Sequence, residues 1–200
     1  LTRITISSHN LQGIQNFASL PNLERLSITN NENTPLLVNV TQNLALTDIN
    51  LSSNDMSVLD LTQNVLLEDI NISNNEFTTI DLTQNVLLED LNVSSNNLPT
   101  LNVTQNVLLE YLYASYNLLP NLDVTNNVEL RQIIISNNLF TTTGLDLTQN
   151  VELNYIDISN NQVESLYILD NVKLVSFVAH HNLFSGTDIL DQLFIVKSGY

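Results

Sequence analysis

Apolar and polar residues alternate along this chain in short bursts, and the bursts recur at a fixed interval. In Leu67-Glu-Asp-Ile70-Asn-Ile72 the apolar positions predict a half-buried strand, with Ile70 and Ile72 inward and Asp69, Asn71 and Ser73 outward. A second alternation, Leu59-Asp-Leu-Thr-Gln-Asn64, predicts another short extended segment with Leu59 and Leu61 inside. The motif Asp60-Leu-Thr-Gln-Asn-Val-Leu-Leu67 returns from Asp81 to Leu88 and, with Asn102 in first place, up to Leu109. Repeats open at Leu1, Leu23, Leu46, Leu67, Leu88, Leu109, Leu130, Leu153 and Leu174. Most steps are 21 residues, and those into Leu46 and Leu153 are two longer. One such strand cannot bury its apolar face alone, so the turns must stack, at about 4.8 Å each, into a parallel sheet roughly 40 Å long.

Two columns of asparagine punctuate the repeat. The first runs through Asn31, Asn54, Asn75, Asn96, Asn117, Asn138, Asn161 and Asn182, with His9 in the first turn. There the chain leaves the strand, and a buried amide can satisfy backbone groups that have lost their sheet partners. The second column, Asn43, Asn64, Asn85, Asn106, Asn127, Asn150 and Asn171, predicts another row of backbone caps.

The pattern L-x-x-L-x-L-x-x-N-x-L at this period resembles the leucine-rich-repeat family over essentially the whole chain. The resemblance implies a mostly β, α/β-type solenoid, a right-handed coil of nine repeats over 1–186. A parallel sheet would line its concave face, and the convex side would be thin, built from short strands or 3₁₀ turns. The first connection, Gly13-Ile-Gln-Asn-Phe17-Ala-Ser-Leu20-Pro-Asn, is similar to the internalin-like type with a 3₁₀ segment. The two longer repeats carry their extra residues at 33–37 and 141–144, which predicts bulging loops. After the last strand, Thr187 as N-cap and Ile189, Leu190, Leu193 and Phe194 near helical spacing predict a short amphipathic helix and tail over 187–200.

Charge changes the picture of partners. Five basic against 21 acidic residues give a formal charge of −16. That surface repels phosphate backbones and anionic lipid, which disfavours nucleic acid and bare membrane. Cysteine is absent, which excludes disulfides and thiolate metal sites. No apolar run reaches the length of a membrane span and no basic-then-apolar leader is present. The expectation is a monomeric module of a longer, secreted or cell-surface bacterial protein.

The outward strand positions form columns on the concave face. Asp48/Asn50/Ser52, Asp69/Asn71/Ser73 and Asp90/Asn92/Ser94 are near-copies, with Glu68, Glu89 and Glu110 alongside. Such a grid is a solvated acidic face or, alternatively, a row of oxygen ligands for Ca²⁺ centred on Asp48, Asp69 and Asp90. The next turns break the monotony with Tyr111, Tyr113 and Tyr116, then Arg131, Gln132 and Ile134, then Tyr155 and Asp157. Tyrosine joins a flat apolar ring to a hydroxyl, which suits protein hot spots and sugar stacking, although cross-strand aromatics also stabilise sheets. Val178, His180 and His181 extend this patch. On the convex side a threonine column, from Thr41 to Thr148, lies beside a column of aspartates, Asp60, Asp81, Asp123 and Asp146.

Catalytic chemistry finds little support. With four glycines there is no phosphate-binding loop, and no nucleophile elbow or Cys–His pair occurs. Repeated carboxylates on an open sheet lack an enclosing pocket to tune them. The reading is a non-enzymatic binding module, adhering to a protein or glycan through Tyr111, Tyr113, Tyr116, Arg131, Ile134, Tyr155 and Asp157. No cofactor is required in it. The alternative is a structural spacer or stalk solenoid, with or without stabilisation by Ca²⁺.

Overall fold

The computed structural model describes residues 1–7, 11, 13–31 and 36–184. Nine short strands form one parallel sheet in the order β1 (Arg3–Ser7), β3 (Arg25–Thr29), β5 (Asp48–Asn50), β6 (Asp69–Asn71), β7 (Asp90–Asn92), β8 (Tyr111–Tyr113), β9 (Gln132–Ile134), β10 (Tyr155–Asp157) and β11 (Ser176–Val178). Each strand pairs with the one a repeat later, as stacked turns must. β2 (Gly13–Asn16) and β4 (Leu36–Asn39) make a second, two-stranded parallel sheet on the opposite side.

Stacking buries one leucine ladder after another. Leu23, Leu46, Leu67, Leu88, Leu109, Leu130 and Leu153 are fully buried, and so are the convex-side Val40, Leu61, Val103, Val124 and Leu147. Each removes roughly 2 kcal/mol worth of apolar surface from water. The ladder fades at the ends: Leu1 is 74% exposed and the middle residue of β11 is only half-buried.

Both asparagine columns hold the backbone together. Asn75 donates Nδ2 to the Leu51 carbonyl at 2.8 Å and to that of Ile72 at 3.0 Å, while its Oδ1 accepts the Met56 N–H at 3.0 Å. The residue before each of these asparagines has left-handed backbone geometry: Asn30, Ser53, Asn74, Ser95, Tyr116, Asn137, Asn160 and His181 lie at φ between 54 and 59. In the second column, Asn64 donates to the carbonyls of Val40 at 3.0 Å and Asn43 at 2.9 Å. The Oδ1 atoms of all seven members of that column are buried and accept no hydrogen bond. The column caps the preceding turn at the cost of its own acceptors.

Several expectations change. No α-helix occurs among the described residues. The helix expected over 187–200, like His9, lies outside them. The first connection is a strand, β2, where a 3₁₀ segment was expected, because it pairs in parallel with β4. Of the predicted loop over 33–37, residues 36 and 37 belong to β4, with Leu36 buried. The loop over 141–144 closes into a single 3₁₀ turn, Thr142–Gly144. Ser73 is buried, not outward; its hydroxyl donates to Asn71 Oδ1 at 2.7 Å.

Candidate ligand-binding face

Parallel registry turns the outward strand positions into straight columns. One column runs Arg3, Arg25, Asp48, Asp69, Asp90, Tyr111, Gln132, Tyr155 and Ser176. The next runs Thr5, Ser27, Asn50, Asn71, Asn92, Tyr113, Ile134, Asp157 and Val178. Read along the solenoid, the face changes from cationic to acidic to aromatic.

A shallow trough of about 450 Å³ occupies the cationic and acidic stretch, floored by Ile49 and Ile70 and walled by Arg25, Asp48, Asp69, Asp90 and Tyr113. Arg25 lies 3.3 Å from the Asp48 carboxylate, which also accepts the Thr47 hydroxyl at 2.6 Å. Further along, partial burial pushes the Asp90 carboxyl up to about 6, with the charge of Asp69 adding to the rise. Asp69 is raised as well, first by burial and then by Asp48, Glu68 and Glu89, while Arg25 opposes. A column of carboxylates at strand spacing therefore disfavours its own ionised forms at Asp69 and Asp90, while Asp48 pairs with an arginine. Among the described residues no three His, Asp or Glu side chains converge closely enough to hold a metal ion.

Tyr113 joins the trough to the aromatic stretch. Its hydroxyl donates to Gln132 Oε1 at 3.4 Å, and burial, Asp90 and Tyr111 raise its pKa. Tyr111 and Tyr155 flank Gln132 in the first column, and Tyr113 and Asp157 flank Ile134 in the second. Arg131 sits just before β9 and meets the Glu110 carboxylate at 3.2 Å. Asp157 accepts both the N–H and the hydroxyl of Ser159, at 2.9 and 2.6 Å, so its carboxylate is oriented by the chain itself.

No family model matches the chain, and no curated protein sequence matches it either. Solved structures do. The functional domain of InlJ from Listeria monocytogenes, which includes a cysteine ladder, aligns with a TM-score of 0.76 and 26% identity over 88% of this chain. A Leptospira interrogans leucine-rich-repeat protein aligns at 0.70 with 18% identity over 89% of it, and the Listeria monocytogenes internalin InlF at 0.67 with 18% identity over 98%. This chain is a leucine-rich-repeat solenoid that resembles the Listeria internalins. It spans 43% of the InlJ structure and 55% of the Leptospira one. InlJ includes a cysteine ladder, whereas this chain contains no cysteine.

Tyr116 stands apart from the other tyrosines. It follows β8 instead of lying on it, has φ 56, and is 61% exposed. Two residues on, Leu118 is also exposed, as is Leu139 one turn later, and their N–H groups bond the carbonyls of Leu98 and Leu119 one turn back, which places them on one ladder. Sequence reasoning passed over these two leucines. The signal was available: the same column reads Asp55, Glu76, Asn97 and Gln162 in four other turns, with Leu183 a third leucine in the last. His180 and His181 lie at the far end, with ring centroids 5.0 Å apart in edge-on contact.

Proposed function

We propose that this internalin-like solenoid is a non-enzymatic binding module of a secreted or surface-attached bacterial protein. It engages a protein or glycan through the aromatic stretch of its concave face, with Tyr111, Tyr113, Tyr116, Ile134, Tyr155 and Asp157 in contact and Arg131 at the margin. Leucine-rich-repeat domains of this kind bind proteins in general; the finer assignment is ours. It rests on Tyr116. A bulky aromatic in left-handed geometry costs on the order of 1–3 kcal/mol, and such strain collects at functional positions. Sister turns place asparagine or serine there in all cases but Tyr116 and His181. The neighbouring Leu118 and Leu139 enlarge an exposed apolar rim around an aromatic anchor, the composition of a binding hot spot.

Arrays of extracellular proteins and of glycans, probed with the purified chain, test the assignment. Hits seen with the native chain are expected to vanish with Y111A/Y113A/Y116A, and hits that persist undiminished would refute the patch.

A further inference from the structure

The flank of the solenoid carries an apolar feature that the concave face does not use. The residue after each asparagine of the second column is aliphatic and exposed: Leu44, Val65, Val86, Val107, Val128, Val151 and Val172. Exposure ranges from 42% at Val151 to 66% at Val172, although from Leu44 to Val151 the asparagine and leucine on either side of the turn, Asn64 and Leu67 for example, are fully buried. The asparagines stack turn upon turn, Asn85 Nδ2 to the Asn64 carbonyl at 2.9 Å and Asn106 Nδ2 to that of Asn85 at 2.7 Å, so the valines after them are in line too. A second aliphatic widens the stripe in the middle turns, exposed at Leu66 and Leu108 and half-buried at Leu87; later turns put Glu129, Glu152 and Lys173 there. Scattered exposed aliphatics need no explanation, but a contiguous row of them marks a contact surface.

Two observations select the occupant. First, the stripe has an acidic margin. Glu68 and Glu89 are exposed two residues beyond Leu66 and Leu87, and each N–H in this column bonds the carbonyl one turn back, Glu89 to Glu68 at 2.8 Å. A second copy of this chain would bring carboxylates against carboxylates at a charge of −16. Second, the spacing suits a helix. The solenoid repeats at about 4.8 Å, close to the roughly 5.4 Å pitch of an α-helix, whereas same-face residues of a strand recur at about 6.7 Å.

We infer that this flank is a second interaction surface, which takes a basic amphipathic helix lying along the solenoid axis. Its aliphatic face would rest on Val65, Leu66, Val86, Leu87, Val107 and Leu108, and its lysines or arginines would meet Glu68 and Glu89. This surface is separate from the tyrosine patch and does not depend on that assignment.

The probe is a fluorescein-labelled synthetic peptide of about 19 residues, the length that spans six turn intervals at 1.5 Å per residue. It carries leucine on one helical face and lysine on the other; a control keeps the lysines and replaces leucine by glutamine. Anisotropy titration is expected to show saturable binding to the native chain and a loss of at least tenfold with L66Q/L87Q/L108Q. The Y111A/Y113A/Y116A variant should bind the probe like the native chain. Equal binding by the glutamine control, equal binding by the flank variant, or no binding to the native chain would overturn the inference. So would sedimentation showing that the native chain dimerises through this flank. Because the chain lacks cysteine, Val107→Cys offers a single alkylation site that needs no multiple substitution. The probe should slow its alkylation several-fold, and an unchanged rate would count against the surface.

Discussion

Asp90 and Tyr111 are in-register partners on β7 and β8, and the concave face changes character between them. On one side lie carboxylates crowded at strand spacing, with Asp69 and Asp90 raised by burial and by their neighbours; on the other lie tyrosine rings. Each stretch makes its own prediction.

The acidic stretch sets an unusual pH dependence. Asp69 and Asp90 have folded-state values raised above that of an unfolded aspartate, by burial first and neighbouring carboxylates second. Their contribution to stability is full below the unfolded value of 3.8 and is lost as pH rises through the folded value, about 6 for Asp90. On the convex side the sign reverses. Asp60, Asp81, Asp123 and Asp146 are lowered by hydrogen bonds from the threonine two residues on, such as Thr62 Oγ1 to Asp60 Oδ1 at 2.7 Å. That contribution is present above the unfolded value and fades as pH falls through the depressed ones. Melting temperature is therefore expected to peak near pH 4, to decline as pH rises through about 6, and to level off by pH 8. Asp90→Asn should flatten the decline, restoring on the order of 1 kcal/mol at pH 8 once solvent screening is allowed for.

The asparagine ladders should be the costliest polar positions to alter. Removing the Asn75 side chain strands the Leu51 and Ile72 carbonyls and the Met56 N–H. Asn75→Ala is expected to cost about 3 kcal/mol, or roughly 10 °C in melting temperature. Asn85→Asp should be worse still. Asn85 acts only as a donor, to Leu61 and Asn64, and its Oδ1 has no donor to receive. Aspartate would set buried negative charge against two carbonyls. Urea denaturation of the two variants checks the ranking.

Gly144 is required by its neighbour, not by its own backbone. A Cβ there would sit 2.4 Å from the Pro120 carbonyl oxygen, inside contact distance of main chain that cannot step aside. Gly144 also accepts the Leu122 N–H at 2.9 Å, which ties the 3₁₀ turn to the convex side. Gly144→Ala is expected to cost about 2 kcal/mol, read in the same urea titration.

Divalent cations should leave the fold unchanged. Asp48, Asp69 and Asp90 are the oxygens Ca²⁺ would seek, yet Arg25 pairs with the first, and among the described residues no three carboxylates converge on one point. Millimolar Ca²⁺ or EDTA is expected to move the melting temperature by less than about 1 °C, since a cation stabilises only if it binds the folded state. A clear rise with Ca²⁺ would restore the metal reading of this column.

Much of this was legible in the residues themselves. Period-two alternation at Ile70 and Ile72, the recurring leucines and the asparagine columns specify stacked parallel strands, because no other arrangement buries those faces together. Short extended segments on the convex side were legible, but the pairing of β2 with β4 was not, since it is a contact between turns that no local pattern announces. Likewise Ser73 reads as outward from alternation, but the chain turns sharply after Asn71 and draws it inside. The tyrosines could be placed on one face by counting. That Tyr116 lies beyond the strand in left-handed geometry, beside Leu118 and Leu139, required the backbone.

Tyr116→Asn tests the binding assignment most directly, because it separates strain from contact in one variant. Asparagine is the residue at this position in four sister turns, Asn30, Asn74, Asn137 and Asn160, and accepts left-handed geometry readily. The account predicts that the variant melts higher, by about 0.5–1 kcal/mol in stability, and loses array binding at least tenfold. A variant that melts lower than the native chain, or that keeps its ligand, would contradict it.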